Sequence, residues 1–127
     1  MYELYIPYPP TINSYYVKTR NGIFISTKGR RFRDDVAEAV IQQLPTVSIT
    51  YKVLIEIVLY PPDKRKRDID NCSKAILDSL TKCGLWDDDV LVDQLFIYRG
   101  MIQKPIGSTF VRIGKAGPQI PIGYTSF

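Results

Sequence analysis

Apolar and polar positions along the chain alternate with a period of two in several short stretches and follow the helical period in two longer ones. Tyr2 to Ile6 reads as a short strand, ended by Pro7, Pro9 and Pro10. Tyr15 to Thr19 and Gly22 to Ile25 flank Asn21-Gly22, a dipeptide that suits a tight hairpin turn. Ser26 or Thr27 is placed to cap a helix from about Lys28 to Leu44, ended by Pro45. Its apolar positions Phe32, Val36, Ala39, Val40 and Leu44 share one face, with Arg30, Arg31, Arg33 and Asp34 on others. Ile49 to Tyr60 is the longest strand. Tyr51, Val53, Ile55, Ile57 and Leu59 form one apolar side, and the other side is mixed, which suits a central or nearly central position. Pro61-Pro62 stops it. A second helix is predicted from Asp70 to Cys83, with Ile69, Cys72, Ile76, Leu80 and Cys83 as its core stripe and Gly84 as its stop. Strands over Val90 to Tyr98 and Thr109 to Ile113 complete the set. This order predicts an α/β (α+β) fold: one domain over residues 1–113, a mixed β-sheet packed by two main helices, then a Gly/Pro-rich tail over 114–127.

A chain of 127 residues is long enough for one cored domain and too short for two. No apolar run reaches the ~20 residues needed to span a bilayer, and the start Met-Tyr-Glu-Leu has no basic or apolar leader pattern. The expectation is a cytoplasmic protein with no membrane partner. Cys72 and Cys83 both fall in the second predicted helix, about 16 Å apart along its axis, too far for a disulfide. They read as small buried apolar residues. The chain has no histidine, which removes serine–histidine triads, histidine bases and most zinc sites. Catalysis would rest on carboxylates, lysine, hydroxyls or an oxygen-ligated metal.

Charge is unevenly distributed. The net charge is only +4, but eight of the thirteen acids lie between Asp63 and Asp93. Cations cluster at Lys28, Arg30, Arg31 and Arg33, and again at Lys64, Arg65, Lys66 and Arg67. Basic arms beside an acidic knot can bind a polyanion and hold a divalent ion. Asp68 and Asp70 are two residues apart, Asp70 at or next to a helix start, where free backbone N–H groups favour a carboxylate. Lys74 follows one helical turn later. Asp87-Asp88-Asp89 comes after the helix, and strand–helix–strand packing is expected to return it to the same end of the sheet. Carboxylates converging there would repel one another unless cations, such as magnesium, filled the pocket. Taken singly, Asp-x-Asp-Asn at a helix start is usually a cap and a three-aspartate turn usually a solvated loop. A calcium loop is disfavoured because Cys72 stands where its third oxygen ligand belongs.

The combination resembles a known family. Lys64-Arg65-Lys66-Arg67-Asp68-Ile69-Asp70-Asn71, a lysine at Lys74, and Leu80-Thr81-Lys82-Cys83-Gly84-Leu85-Trp86 leading to Asp87-Asp88-Asp89 are similar to the signature of the RusA endonucleases. Pro7-Tyr8-Pro9-Pro10-Thr11-Ile12-Asn13 resembles that family's opening, and Ser26 to Val36 its first long helix. The resemblance covers about Tyr2 to Ile113. It implies homodimeric, magnesium-dependent Holliday junction resolvases of bacteria and their phages and prophages, which nick opposing strands of four-way DNA junctions in recombination and repair. Mn²⁺ is the plausible substitute ion. By this resemblance Asp68, Asp70, Lys74 and Asp89 are catalytic. Asp68, Asp70 and Asp89 hold metal, with Asp88 as a neighbouring acid. Asp87 stands where the family often has an apolar residue, which leaves open which of the three aspartates ligates. Lys64, Arg65, Lys66 and Arg67, with Arg30, Arg31 and Arg33, are the expected DNA contacts. A less selective branched-DNA nuclease and a non-catalytic DNA-binding module are the alternatives.

Overall fold

The computed structural model describes residues 1–123; the last four residues of the predicted tail lie outside it. The strands are β1 (Tyr2–Ile6), β2 (Tyr16–Thr19), β3 (Gly22–Ile25), β4 (Val53–Tyr60), β5 (Val92–Arg99) and β6 (Ser108–Lys115). The helices are α1 (Ile12–Tyr15), α2 (Thr27–Gln43) and α3 (Asp70–Lys82), with a 3₁₀ turn at Asp89–Leu91. The main sheet has the order β1-β6-β4-β5, and β2-β3 form a separate hairpin. β4 is parallel to β5 and antiparallel to β6, so the sheet is mixed, as the order of elements predicts.

Local chemistry explains the element boundaries. The Asn21-Gly22 turn works because Gly22 takes a φ of 129°, a region closed to most side chains. Ser26 is the N-cap of α2, its hydroxyl accepting from the Gly29 amide at 2.9 Å. The one-turn α1 has too short a pattern to stand out in the sequence. β4 begins at Val53 rather than Ile49; Ile49 makes only an isolated bridge to Trp86. β6 runs two residues past the expected end, because Gly114 and Lys115 still pair with Leu54 and Val53. Beyond it, the Ala116 amide donates to the Lys52 carbonyl and the Gly117 amide to the Gln94 side chain, so the start of the predicted tail is pinned to the sheet.

The core lies between one face of the sheet and the two long helices. Val53, Ile55, Ile57 and Leu59 of β4 are buried there with Phe32, Val36 and Val40 of α2 and Ala75, Ile76 and Leu80 of α3. Trp86, outside the predicted stripe, is fully buried, and its indole N–H donates to Thr81 at 2.8 Å. Both cysteines are free, Cys72 buried and Cys83 half-buried. The other sheet face carries a polar chain: Arg112 bridges Glu3 and Glu56, and Tyr98 donates to Glu56.

Arg33, Tyr15 and Asp78 tie the three helices together. The Arg33 guanidinium donates to Asp78 at 2.7 Å and to the Tyr15 hydroxyl at 2.8 Å, and Tyr15 in turn donates to Asp78. Side-chain exposures of 26% for Arg33 and 16% for Asp78 make this a largely sheltered pair. Burial pushes the Asp78 carboxyl up, but the hydrogen bonds from Tyr15 and Arg33 outweigh it and hold the group below its ordinary value. A depressed carboxylate contributes stability above its unfolded pKa of about 4, and that contribution fades as pH falls through the folded value. Arg33→Ala is therefore expected to lower unfolding free energy by about 1–3 kcal/mol at neutral pH, the scale of a hydrogen bond to a charged group. The gap between variant and wild type should narrow below about pH 4. Urea unfolding at neutral and acidic pH checks this, and a gap independent of pH would count against it.

Candidate active site

The double proline Pro61-Pro62 ends β4 and releases a basic loop that leads into α3. Asp63 braces this loop. Its carboxylate forms an ion pair with the Arg67 guanidinium at 2.8 Å, accepts from the Arg65 amide at 2.9 Å, and pairs with the Arg65 side chain. The Arg67 hydrogen bond, with help from Arg65, holds the Asp63 carboxyl far below the usual carboxylate range. Arg67 also lies over the Tyr8 ring, 5.6 Å from its centroid, and Arg99 donates to the Arg67 carbonyl. Tyr8 is half-buried beside Cys72, its hydroxyl 4.0 Å from the thiol, and burial pushes its pKa up to about 12. Lys64 and Lys66, by contrast, are exposed and form no ion pair among the described residues.

This bracing delivers two carboxylates to the N-terminal end of α3. Asp68 is exposed just ahead of the helix, with the Asn71 side-chain amide 3.4 Å from its carboxylate. Asp70 is the first helical residue and is also exposed. Free N–H groups and the helix dipole favour negative charge there. Lys74, one turn further on, is exposed and makes no ion pair among the described residues. The arrangement leaves an ammonium and two carboxylates at one solvent-facing helix end.

The third acidic element is elsewhere, which corrects the expected convergence. β5 lies parallel to β4, pairing Val92 with Val53, so the segment feeding β5 sits at the beginning of β4. The basic loop and Asp70 follow the end of β4. α3 spans the distance between them, about 20 Å for thirteen residues. A parallel crossover must return the chain to the end from which the first strand started. Asp87, Asp88 and Asp89 are consequently at the opposite end of the unit from Asp68 and Asp70. Asp88 caps the 3₁₀ turn, accepting from the Val90 amide at 3.0 Å, while Asp89 is half-buried inside the turn and Asp87 is exposed. Among the described residues no group of three or more carboxylate or thiol side chains is placed to hold a metal ion.

The basic residues also divide. Lys28 and Arg31 face the loop cations Arg65, Lys66 and Arg67 across one cleft. Arg30 turns back to the Ile25 carbonyl and the Thr27 hydroxyl, and Arg33 is engaged by Asp78. Sequence reasoning gave no role to Asp63, Tyr8 or Arg99. Tyr8 stood within a quoted motif, but neither Asp63 nor Arg99 belongs to a pattern that signals its contact.

A mixed sheet with a parallel strand–helix–strand unit, a carboxylate pair at the helix start and a basic loop before it define a nuclease-like domain. Residues 7–114 match the family Endodeoxyribonuclease RusA, and the chain belongs to that family. It is 38% identical over 105 residues to the crossover junction endodeoxyribonuclease RusA of Escherichia coli strain K12, covering 83% of this chain and 84% of that protein. It is 40% identical over the same length to the crossover junction endodeoxyribonuclease of Enterobacteria phage 82, again covering 83% and 84%. The corresponding protein of Enterobacteria phage HK97 is 33% identical over 112 residues, covering 88% of this chain and 92% of its own.

Proposed function

We propose that this chain is a magnesium-dependent endonuclease that resolves four-way DNA junctions by paired nicks, acting as a homodimer in recombination and repair in the bacterial cytoplasm. The observation that carries the reading is the exposed Asp68–Asp70 pair at a helix N-terminus, framed by cations that can hold phosphate. Magnesium commonly uses one or two carboxylates together with substrate phosphate oxygens and water, and the chemistry of this pair fits that mode; Mn²⁺ would be a substitute. When bound, the ion would supply positive charge opposite the scissile phosphate. The chain's own residues do the rest. Arg67, braced by Asp63 and Tyr8, positions the strand. Lys74 stands free to neutralise charge on the phosphate or protonate the leaving oxygen.

The distance between the two acidic ends favours one form for the proposed dimer. A two-fold pairing can set the Asp88–Asp89 end of one chain against the Asp68–Asp70 end of its partner. Both copies of the contact are then equivalent, matching the two equivalent strands of a junction. Selection would come from the spacing of the two sites and the deformability of the branch rather than base readout. The experiment is cleavage of a four-way junction against linear duplex of the same sequence, in magnesium and in chelator. Equal cutting of both substrates would leave only a less selective nuclease, and binding without cutting would leave only a DNA-binding module.

The basic loop has its own expected result. Replacing Lys64, Arg65 and Lys66 by alanine removes up to six phosphate contacts per dimer. Each contributes about −0.9 to the slope of log affinity against log salt on duplex DNA, so the slope should flatten by up to about five units. Junction and duplex should weaken in parallel, since phosphate contacts carry no sequence information. A titration series from low to moderate salt decides it, and an unchanged slope would mean the loop is merely solvated.

A further inference from the structure

A second feature lies beside the candidate active site. A cleft of about 510 Å³ opens between the proline segment after β1, the first turns of α2 and the basic loop. Its walls are largely apolar, lined by Pro7, Pro9, Pro10, Tyr8 and Phe32. Its rim is cationic, with Lys28 and Arg31 on one side and Arg65, Lys66 and Arg67 on the other. Lys28, Arg31 and Lys66 form no ion pair among the described residues. Asp35 is the one acid on the lining; it can accept from the N–H groups of a base and leaves the rim strongly positive. Tyr8, Arg65, Lys66 and Arg67 also line a neighbouring cleft of about 490 Å³, which contains Asp68 and Arg99. The two clefts therefore share a wall, and that wall is the braced loop.

We infer that the larger cleft is a subsite for one unstacked nucleotide of the DNA strand whose scissile phosphate lies at Asp68. This rests on the reading of the chain as a DNA nuclease and specifies how the strand is held. Size and chemistry argue together. A cleft of this volume is in the range of small-ligand sites and has room for about one nucleotide rather than a length of duplex. Apolar and aromatic walls suit the face of a base, and a cationic rim suits the phosphates on either side of it. Surface made only for duplex phosphates needs cations but has no use for a proline-lined recess. Unstacking costs least where pairing is already broken, so a branch point is the favoured donor of such a nucleotide.

The test measures binding in chelator, so that it is independent of cleavage. The probes are a short fluorescent oligothymidylate, an abasic strand with the same number of phosphates, and an unbranched duplex. The wild-type chain is expected to bind oligothymidylate about tenfold more tightly than the abasic strand, the effect of one stacked base. The double variant Lys28→Ala/Arg31→Ala, at two exposed positions, should weaken oligothymidylate binding about tenfold while changing duplex binding much less. Lys82→Ala, which removes a charge at the far end of α3, should not alter the ratio between the two. Equal affinity for intact and abasic strands would overturn the subsite, as would a parallel loss of single strand and duplex in the double variant. Failure of the resolvase reading would show separately, as absent junction cleavage in magnesium by the wild-type chain.

Discussion

Mixing a chain that carries Asp70→Asn with one that carries Asp89→Asn is expected to restore nicking that neither variant shows alone. Each substitution removes a carboxylate from a site whose charge stabilisation is worth several kcal/mol, so each variant alone should lose about 10³-fold or more in cleavage. Junction binding should be spared, or even tightened, because negative charge near phosphate is lost. In a mixed dimer with sites shared across the two-fold axis, one site carries both substitutions and the other carries neither. With random pairing, half of the dimers are mixed, so single nicks should return at about a quarter of the wild-type rate. Paired nicks across the junction should not return, since only one site per mixed dimer is intact. If both acids instead served the same chain, every site in the mixture would be damaged and no activity would appear. Asp68→Asn in place of Asp70→Asn should behave alike. Near-normal cleavage by the Asp68 and Asp70 variants at saturating magnesium would sink the assignment of the pair.

Lys74→Ala is expected to slow cleavage by about 10²-fold, the scale seen when a single electrostatic stabiliser is removed. The structure sharpens the contrast with a purely structural role. Lys74 is exposed and pairs with none of the described acids, so its loss should cost the fold no more than a few tenths of a kcal/mol. Single-turnover rates on saturated junction, set beside melting temperatures, separate the two. An unchanged rate with a slightly lowered melting temperature would leave Lys74 as no more than a helix-surface charge.

Most of the scaffold was legible because its signals are local. The alternation in Val53–Tyr60, the Ser26 cap, the Asn21-Gly22 turn and the Gly84 stop each act within a few residues, and each element formed where its pattern lies. Boundaries shifted where pairing decided them: Ile49 to Lys52 continue the alternation of the strand but find no continuous partner, whereas Gly114 and Lys115 find one. The carboxylate pair was legible for the same local reason. The position of Asp87–Asp89 was not, because it depends on whether β5 runs parallel or antiparallel to β4, and alternation is identical in both directions. Nor could spacing reveal that Arg33 would meet Asp78, 45 residues away, rather than solvent. Arg30, Arg31 and Arg33 look equivalent in sequence, and only packing of α1 and α3 against α2 separates them.

Gly29 shows how this scaffold can change its preferences without changing its shape. The first turn of α2 rests directly on α1 and β3: a Cβ at Gly29 would clash with the Tyr15 carbonyl and lie 2.8 Å from Ile25 Cγ1. No side chain fits between them, so the helix is docked backbone to backbone at this point. Lys28 and Arg31 flank that contact yet project into the cleft and take no part in it. The position that fixes the helix is thus intolerant of any replacement, while the positions that meet the ligand are free to vary. In a lineage under pressure to grip a strand more or less firmly, substitutions at 28 and 31 can accumulate at little cost to folding, and the frame that aims them stays put.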